Sequence, residues 1–188
     1  MKETSDISTI TKRLKSAAYQ LIAIDGIDGS GKSTLARILS KDLGHLHINL
    51  DDYLNKNQKT YVEHIKYDLL KDKIVATRLP IIFEGACVLS VLRNLEIDHD
   101  FLIYIKRMSN WGLWRDEKLC DVNGNIDDFI ANENIELRKF SKAMADIEGE
   151  EFDLEYCKLT DFREEVIRYH YDFRPHEKAH IVFLRTEF

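Results

Sequence analysis

The sequence predicts an α/β fold with a parallel five-stranded sheet flanked by helices, and three observations favour it. Short apolar runs of strand length recur along the 188 residues. Between most of them lie segments of ten or more residues with helical spacing, the length that a crossover between parallel strands needs. A glycine-rich turn joins the first apolar run to a strong helical pattern. We therefore expect one α/β domain over residues 1–188.

The individual elements follow from the hydrophobic pattern. The apolar runs that we interpret as strands are 19–25, 45–50, 81–83, 101–105 and 180–184. Apolar residues three and four apart predict helices over about 5–17, 32–43, 62–77 and 126–147, and a further helix from about 161. Gly44 is a natural end for the second of these helices.

Composition and charge limit the classes of function. A net charge of −6 argues against general nucleic-acid binding, which usually requires a basic excess. The three cysteines lie far apart without CxxC spacing, so neither a disulfide framework nor a zinc site is expected. No run of 18 apolar residues and no signal-like segment occurs. We therefore expect a cytoplasmic protein without a membrane partner.

The stretch IDGIDGSGKSTLAR, residues 24–37, matches the phosphate-binding pattern G-x-x-x-x-G-K-[ST]. Glycines let the backbone turn tightly and present N–H groups to phosphates, and the N-terminus of the following helix attracts anions. In this pattern Lys32 reaches the β- and γ-phosphates, and the Ser33 hydroxyl binds Mg²⁺. The pattern predicts binding of ATP with Mg²⁺ by Gly26, Asp28, Gly29, Ser30, Gly31, Lys32, Ser33 and Thr34.

Carboxylates follow two further predicted strands. Asp51 and Asp52 come directly after the second strand, and Glu84 ends the third. In open α/β sheets, ligands bind at these carboxyl ends of the strands. One aspartate there can accept the proton of a hydroxyl group near the γ-phosphate, and Glu84 can bind Mg²⁺ directly or through water. We expect the metal ligands to be Ser33, Asp51 and Glu84.

Five motifs together resemble one protein family. GIDGSGKST, NLDDYL, IIFEGACVLSVL, FLIYIKR…WRDE and RPHEKAHIVF occur in this order. They resemble the uridine kinase-like branch of the P-loop nucleoside and small-molecule kinases. The resemblance implies that Asp51 is the catalytic base, that Glu84 lies near magnesium and that Tyr53 shapes the acceptor pocket. It also implies a small helical lid near 107–120, on which Arg115 neutralises charge on the transferring phosphoryl group.

The phosphoryl acceptor remains open between alternatives. A nucleoside-like small molecule is the first candidate, with Asp52, Tyr53 and Tyr61 as substrate residues. A nucleoside monophosphate kinase of the thymidylate kinase type must also hold an acceptor phosphate, usually with arginines. Arg78 is the only arginine between residues 51 and 83, which favours an acceptor without phosphate. A module that binds nucleotide without transferring phosphate is the third possibility.

Overall fold

A single sheet of six parallel strands forms the centre of the protein, in a computed structural model that describes residues 2–55, 58–148 and 157–186. The strands are β1 (Lys2–Thr4), β2 (Leu21–Asp25), β3 (Leu46–Asn49), β4 (Ile81–Glu84), β5 (Phe101–Met108) and β6 (Ile181–Thr186). They lie in the order β1-β6-β5-β2-β4-β3, and each neighbouring pair is parallel. The predicted α/β class is confirmed.

Helices cover both faces of this sheet. They are α1 (Ile7–Lys15), α2 (Lys32–Leu43), α3 (Tyr67–Ala76), α4 (Val88–Leu95), α5 (Glu117–Cys120), α6 (Ile126–Glu148), α7 (Asp161–Phe173) and α8 (Pro175–Lys178). Two short 3₁₀ helices span Leu50–Tyr53 and Val62–His64. None of the helices within the described ranges combines the length and apolar character that crossing a membrane requires.

Each central strand is buried on both faces, which explains why the strands read as continuous apolar runs. In β2, Ile22 and Ile24 pack with α1 and α2, on the side of Leu35 and Leu39. Leu21 and Ala23 alternate with them and belong to the core on the opposite face, with residues of α3, α4 and α7. The sheet is therefore a rigid layer whose strand ends fix the positions of the loops that follow them.

The register of the sheet brings the predicted site residues to one edge. Ile24 of β2 is paired with Glu84 of β4, and Glu84 is in turn paired with Asn49 of β3. The glycine-rich loop follows β2, and Asp51 follows β3 by two residues. The carboxyl ends of three adjacent strands thus place the loop and both predicted carboxylate positions side by side.

Two predictions about the elements are wrong. The sheet has six strands instead of five, because Lys2–Thr4 pairs with β6 as an edge strand. Its residues are polar and show no apolar alternation, so the sequence carries no strand signal there. The helix expected over 62–77 is divided, because Ile65 is extended and forms an antiparallel bridge with Leu54.

The segment expected to be a helical lid, 107–120, is only partly helical. It begins within β5, turns at residues 109–113 and ends in the single turn of α5. Trp114 is buried against Tyr104 and bridges back to Met108, whereas Trp111 is 89% exposed. The lid function of this segment stays a prediction.

Candidate active site

The loop between β2 and α2 has the backbone that the phosphate-binding pattern predicts. Gly31, at the start of α2, has a φ of 94°, which strongly favours glycine. A Cβ atom on Gly26 would lie 2.9 Å from the carbonyl oxygen of Ile105, closer than real Cβ contacts allow. The parallel sheet, this loop and α2 together define a P-loop α/β fold.

Several features of the loop fit a bound polyphosphate. Among the residues that the structure describes, no side chain caps the N-terminus of α2, so its first N–H groups can bind an anion. The Ser30 hydroxyl is buried and has no hydrogen-bond partner within the described residues. Lys32 is only 8% exposed, and its Nζ donates to the carbonyl oxygen of Ile27 at 3.0 Å. The Gly29 N–H likewise has a partner within the loop, because it donates to the carboxylate of Asp28 at 2.9 Å.

A cleft of about 660 Å³ adjoins the loop. Its walls contain most of the predicted nucleotide-binding residues together with both predicted carboxylate positions. Among the described residues it is lined by Asp28, Gly29, Gly31, Lys32, Ser33, Thr34, Asp51, Leu54, Gln58, Thr60, Tyr61, Glu84, Ala86, Phe162 and Arg185. The loop and the carboxylates therefore face one shared space.

Asp51 is held from two sides. The Asn49 side chain accepts a hydrogen bond from the Asp51 N–H at 2.9 Å, which caps the 3₁₀ helix Leu50–Tyr53. The Tyr61 hydroxyl donates to Oδ1 of Asp51 at 2.6 Å. Burial, followed by the bond to Asp51, raises the pKa of Tyr61, so this phenol stays a donor. A Cβ on Gly85 would lie 2.9 Å from the Tyr61 hydroxyl, so the missing side chain lets Tyr61 approach.

Glu84 is almost completely buried, at 1% exposure, at the end of β4. Its Oε1 is hydrogen-bonded to Nε2 of His47, at 3.1 Å. His47 lies on the neighbouring strand β3, directly across from Ile82. Within the described residues, the other oxygen of Glu84, Oε2, has no hydrogen-bond partner, and Glu84 lines the cleft, so this oxygen can bind a ligand.

A buried carboxylate also lies directly before the loop. Asp25 is fully buried, and it accepts hydrogen bonds from the Gly26 N–H at 2.7 Å and from the Tyr169 hydroxyl of α7. Burial raises the pKa of Asp25 to about 6, although these two bonds and the charge of Lys32 act in the opposite direction. Asp25 and Tyr169 were missed by the sequence reasoning, because 144 residues separate them.

Three arginines lie at or near the loop and the predicted lid, in different surroundings. Arg115 is exposed and is not among the described residues that line the cleft; its N–H donates to the Arg107 carbonyl at 2.9 Å. Arg107 binds Asp116 through two hydrogen bonds, and its Nη1 lies 3.5 Å from the position of a Cβ on Gly29. Arg185 of β6 lines the cleft and contacts the loop directly.

Of the three substrate residues expected from the sequence, one lines the cleft and two do not. Tyr61 lines the cleft, whereas Asp52 is exposed and Tyr53 is half-buried outside the lining. Phe162 of α7 lies in the wall beside Tyr61, with ring centroids 5.9 Å apart. The assignments of Asp52, Tyr53 and Arg115 therefore stay predictions.

Three solved structures are similar to this chain. A "possible uridine kinase" from Bacillus stearothermophilus has a TM-score of 0.49 and 17% identity, over 94% of this chain and 96% of that one. A candidate fructose transport system kinase from Silicibacter sp. has a TM-score of 0.46 and 14% identity, over 96% and 100%. A gluconokinase from Sinorhizobium meliloti has a TM-score of 0.37 and 12% identity, over 88% and 81%.

No family model matches the chain, and no curated protein matches it. The three solved structures have TM-scores below 0.5 and identities of 17% or less. The function proposed below therefore rests on the residues of the cleft.

Proposed function

We propose that this protein is a phosphotransferase that uses ATP and Mg²⁺ to phosphorylate a hydroxyl group of a small molecule, with a nucleoside as the leading acceptor. One observation carries the proposal. Asp51 and Glu84 line the same cleft as Lys32 and the glycine-rich loop. A module that only binds nucleotide needs the loop but no carboxylate beside it.

The phosphate end of the cleft is rich in donors. The N–H groups at the start of α2 and the Lys32 ammonium would bind the phosphates, with Arg185 beside them. Ser33 and Glu84 supply hard oxygen ligands of the kind that Mg²⁺ prefers, and Asp51 lines the same cleft. When bound, Mg²⁺ neutralises charge on the phosphate oxygens. Catalysis then consists mainly of positioning and charge stabilisation.

Asp51 is the carboxylate best placed to take the proton of the acceptor hydroxyl. It lines the cleft, and its Oδ1 is held by the Tyr61 hydroxyl at 2.6 Å. The second oxygen, Oδ2, is then the one that accepts the proton. Because the carboxylate is already oriented before the acceptor binds, no further orientational entropy is lost on binding, which favours the reaction.

The wall opposite the loop favours an uncharged acceptor. Leu54, Tyr61 and Phe162 provide apolar and aromatic surface, while Gln58 and Thr60 provide neutral hydrogen-bonding groups. Within the described part of the chain, the cationic side chains that line the cleft are Lys32 and Arg185, and both lie at the phosphate loop. The described residues of this wall offer no cation to an acceptor phosphate, whereas a base could stack on the rings of Tyr61 and Phe162.

The deciding experiment measures ADP release from Mg-ATP with separate panels of nucleosides, nucleoside monophosphates and sugar alcohols. We expect stimulation by a nucleoside, and its loss in Asp51→Asn. Stimulation by monophosphates alone would replace the proposal with a nucleoside monophosphate kinase. Binding of ATP without stimulation by any panel would favour a nucleotide-gated binding module.

A further inference from the structure

One carboxylate of helix α7 holds the backbone of the segment that carries Tyr61. Glu165 accepts hydrogen bonds from the Tyr61 N–H at 2.5 Å and from the Val62 N–H at 3.0 Å. These N–H groups open the 3₁₀ helix Val62–His64, whose N-terminus has no side-chain cap of its own. A carboxylate that accepts two consecutive N–H groups is a strong anchor, because charged acceptors form shorter and stronger hydrogen bonds. Glu165 therefore fixes the backbone of Tyr61.

The hydroxyl of the same tyrosine contacts the candidate base. Tyr61 donates to Asp51 at 2.6 Å, so its backbone is held by α7 while its side chain holds the carboxylate. Phe162 packs against the Tyr61 ring from α7 as well. The position of Asp51 thus depends on a chain of contacts that begins at Glu165, which does not line the cleft itself.

The helix that carries Glu165 is anchored at the phosphate loop. Tyr169 lies four residues after Glu165, on the same face of α7, and its hydroxyl binds Asp25 directly before the loop. The Tyr169 hydroxyl also accepts from the Leu89 N–H at 3.2 Å. The spacing between the phosphate loop and the segment that carries Tyr61 is therefore set by one turn of α7.

We propose that Glu165 is a positioning residue for phosphoryl transfer, which holds Tyr61 so that its hydroxyl keeps Asp51 oriented in the cleft. This inference rests on the proposed function, because it assigns Asp51 the role of the base. Glu165 does not line the cleft, so it acts on Asp51 through Tyr61. Its loss should therefore lower kcat and leave the affinity for nucleotide unchanged.

The test is a double-mutant cycle with Glu165→Gln and Tyr61→Phe. The glutamine amide turns a donor toward one of the two N–H groups, while the phenylalanine removes only the hydroxyl. We expect each single variant to lower kcat by about 10- to 100-fold, the range for misplacing a catalytic group. The kcat of the double variant should be no lower than that of the slower single variant, because both substitutions break the same chain of contacts to Asp51. Mg-ATP affinity should stay within about twofold.

Glu164→Gln is the matched control. Glu164 is the preceding residue of α7 and pairs with Arg168 at 2.9 Å, and among the described residues it forms no hydrogen bond with Tyr61 or Val62. Glu164→Gln removes one negative charge from α7, as Glu165→Gln does, but kcat should remain within about twofold of the wild-type value. An equal loss of kcat in this control would overturn the inference, because the effect would then belong to α7 as a whole.

Amide hydrogen exchange provides a readout that does not depend on activity. Glu165→Gln should speed exchange at the Tyr61 and Val62 amides, whereas Tyr61→Phe should leave the Val62 amide protected. The inference would be overturned if amide exchange in Glu165→Gln were unchanged. It would also be overturned if the wild type transferred phosphate and Glu165→Gln had the same kcat. The inference would also be overturned if the fold-losses of kcat in the two single variants simply multiplied in the double variant. Failure of the proposed function is recognised separately, since the wild type itself would then transfer no phosphate to any panel.

Discussion

The Arg185 guanidinium donates a hydrogen bond from Nη1 to the carbonyl oxygen of Gly29 at 3.0 Å. A Cβ on Gly31 would lie 2.6 Å from the same nitrogen, so the guanidinium rests on this glycine. The last strand of the sheet thus brings a permanent cation to the phosphate loop. Within the described residues, Nε and Nη2 of Arg185 have no recorded partner and can bind phosphate oxygens.

We expect Arg185→Met to weaken Mg-ATP binding by about 10- to 100-fold, the value of one hydrogen bond to a charged group. Isothermal titration calorimetry in the absence of acceptor measures this directly. Arg115→Met is the comparison, because a lid arginine acts on the transferring phosphoryl group and should change kcat more than binding. The assignment of Arg185 fails if its substitution leaves the affinity unchanged while Arg115→Met lowers it.

Lys32→Ala should lower turnover at least about 100-fold, since it removes a preorganised charge at the transferring phosphate. Lys41→Ala is the control, because Lys41 lies exposed in the last turn of the same helix. The measurement is the steady-state rate of ADP release with a saturating acceptor. Retention of full turnover in Lys32→Ala would refute phosphoryl transfer at this loop.

Asp51→Asn should abolish most of the transfer while nucleotide binding survives. The neutral amide keeps the shape of the side chain but cannot accept a proton, so a loss of about 100-fold or more in kcat is expected. Asp52→Asn is the matched neighbour, exposed and outside the cleft lining, and should cost less than about tenfold. If the two results are reversed, Asp52 is the base.

Asp25 should make stability depend on pH. Because the pKa of Asp25 is raised from 3.8 to about 6 in the folded protein, the folded state binds this proton more tightly than the unfolded chain. The resulting stabilisation is fully present below pH 3.8 and is lost as the pH rises through 6. Asp25→Asn removes this dependence.

Urea unfolding of the wild type and Asp25→Asn at several pH values checks the sign. The unfolding free energy of the wild type minus that of the variant should decrease by roughly 2 kcal/mol between about pH 4 and pH 7. The pKa of His170 is lowered by burial to about 4, which acts in the opposite direction but is common to both proteins. An increase of the difference with pH would contradict the prediction.

The predictable part of the site is the part encoded locally. Gly31, Lys32 and Ser33 are contiguous, and the strand before them and the helix after them are visible in the hydrophobic period. Asp51 and Glu84 could be placed because parallel strands deliver their carboxyl ends to one edge. In both cases the sequence neighbours of a residue determine where its side chain lies.

The missed part depends on contacts between distant segments. Glu165 meets the Tyr61 N–H across 104 residues, and Arg185 meets Gly29 across 156. Nothing in the residues around Glu165 distinguishes it from Glu164 beside it. Lys2–Thr4 likewise becomes a strand only because β6 offers a free edge. Such features follow from the assembled tertiary structure, and local patterns contain no signal for them.

The pairing of β1 with β6 has a consequence for how the protein folds. Lys2 is in register with Ile181, so β1 finds its partner only after the segment up to β6 has been synthesised. Contacts between such distant residues carry a large loop-closure cost and slow folding. Until β6 arrives, the edge of β5 is unpaired and can join other chains. We therefore expect variants truncated before Ile181, which lack β6, to aggregate more readily than the chain that contains it.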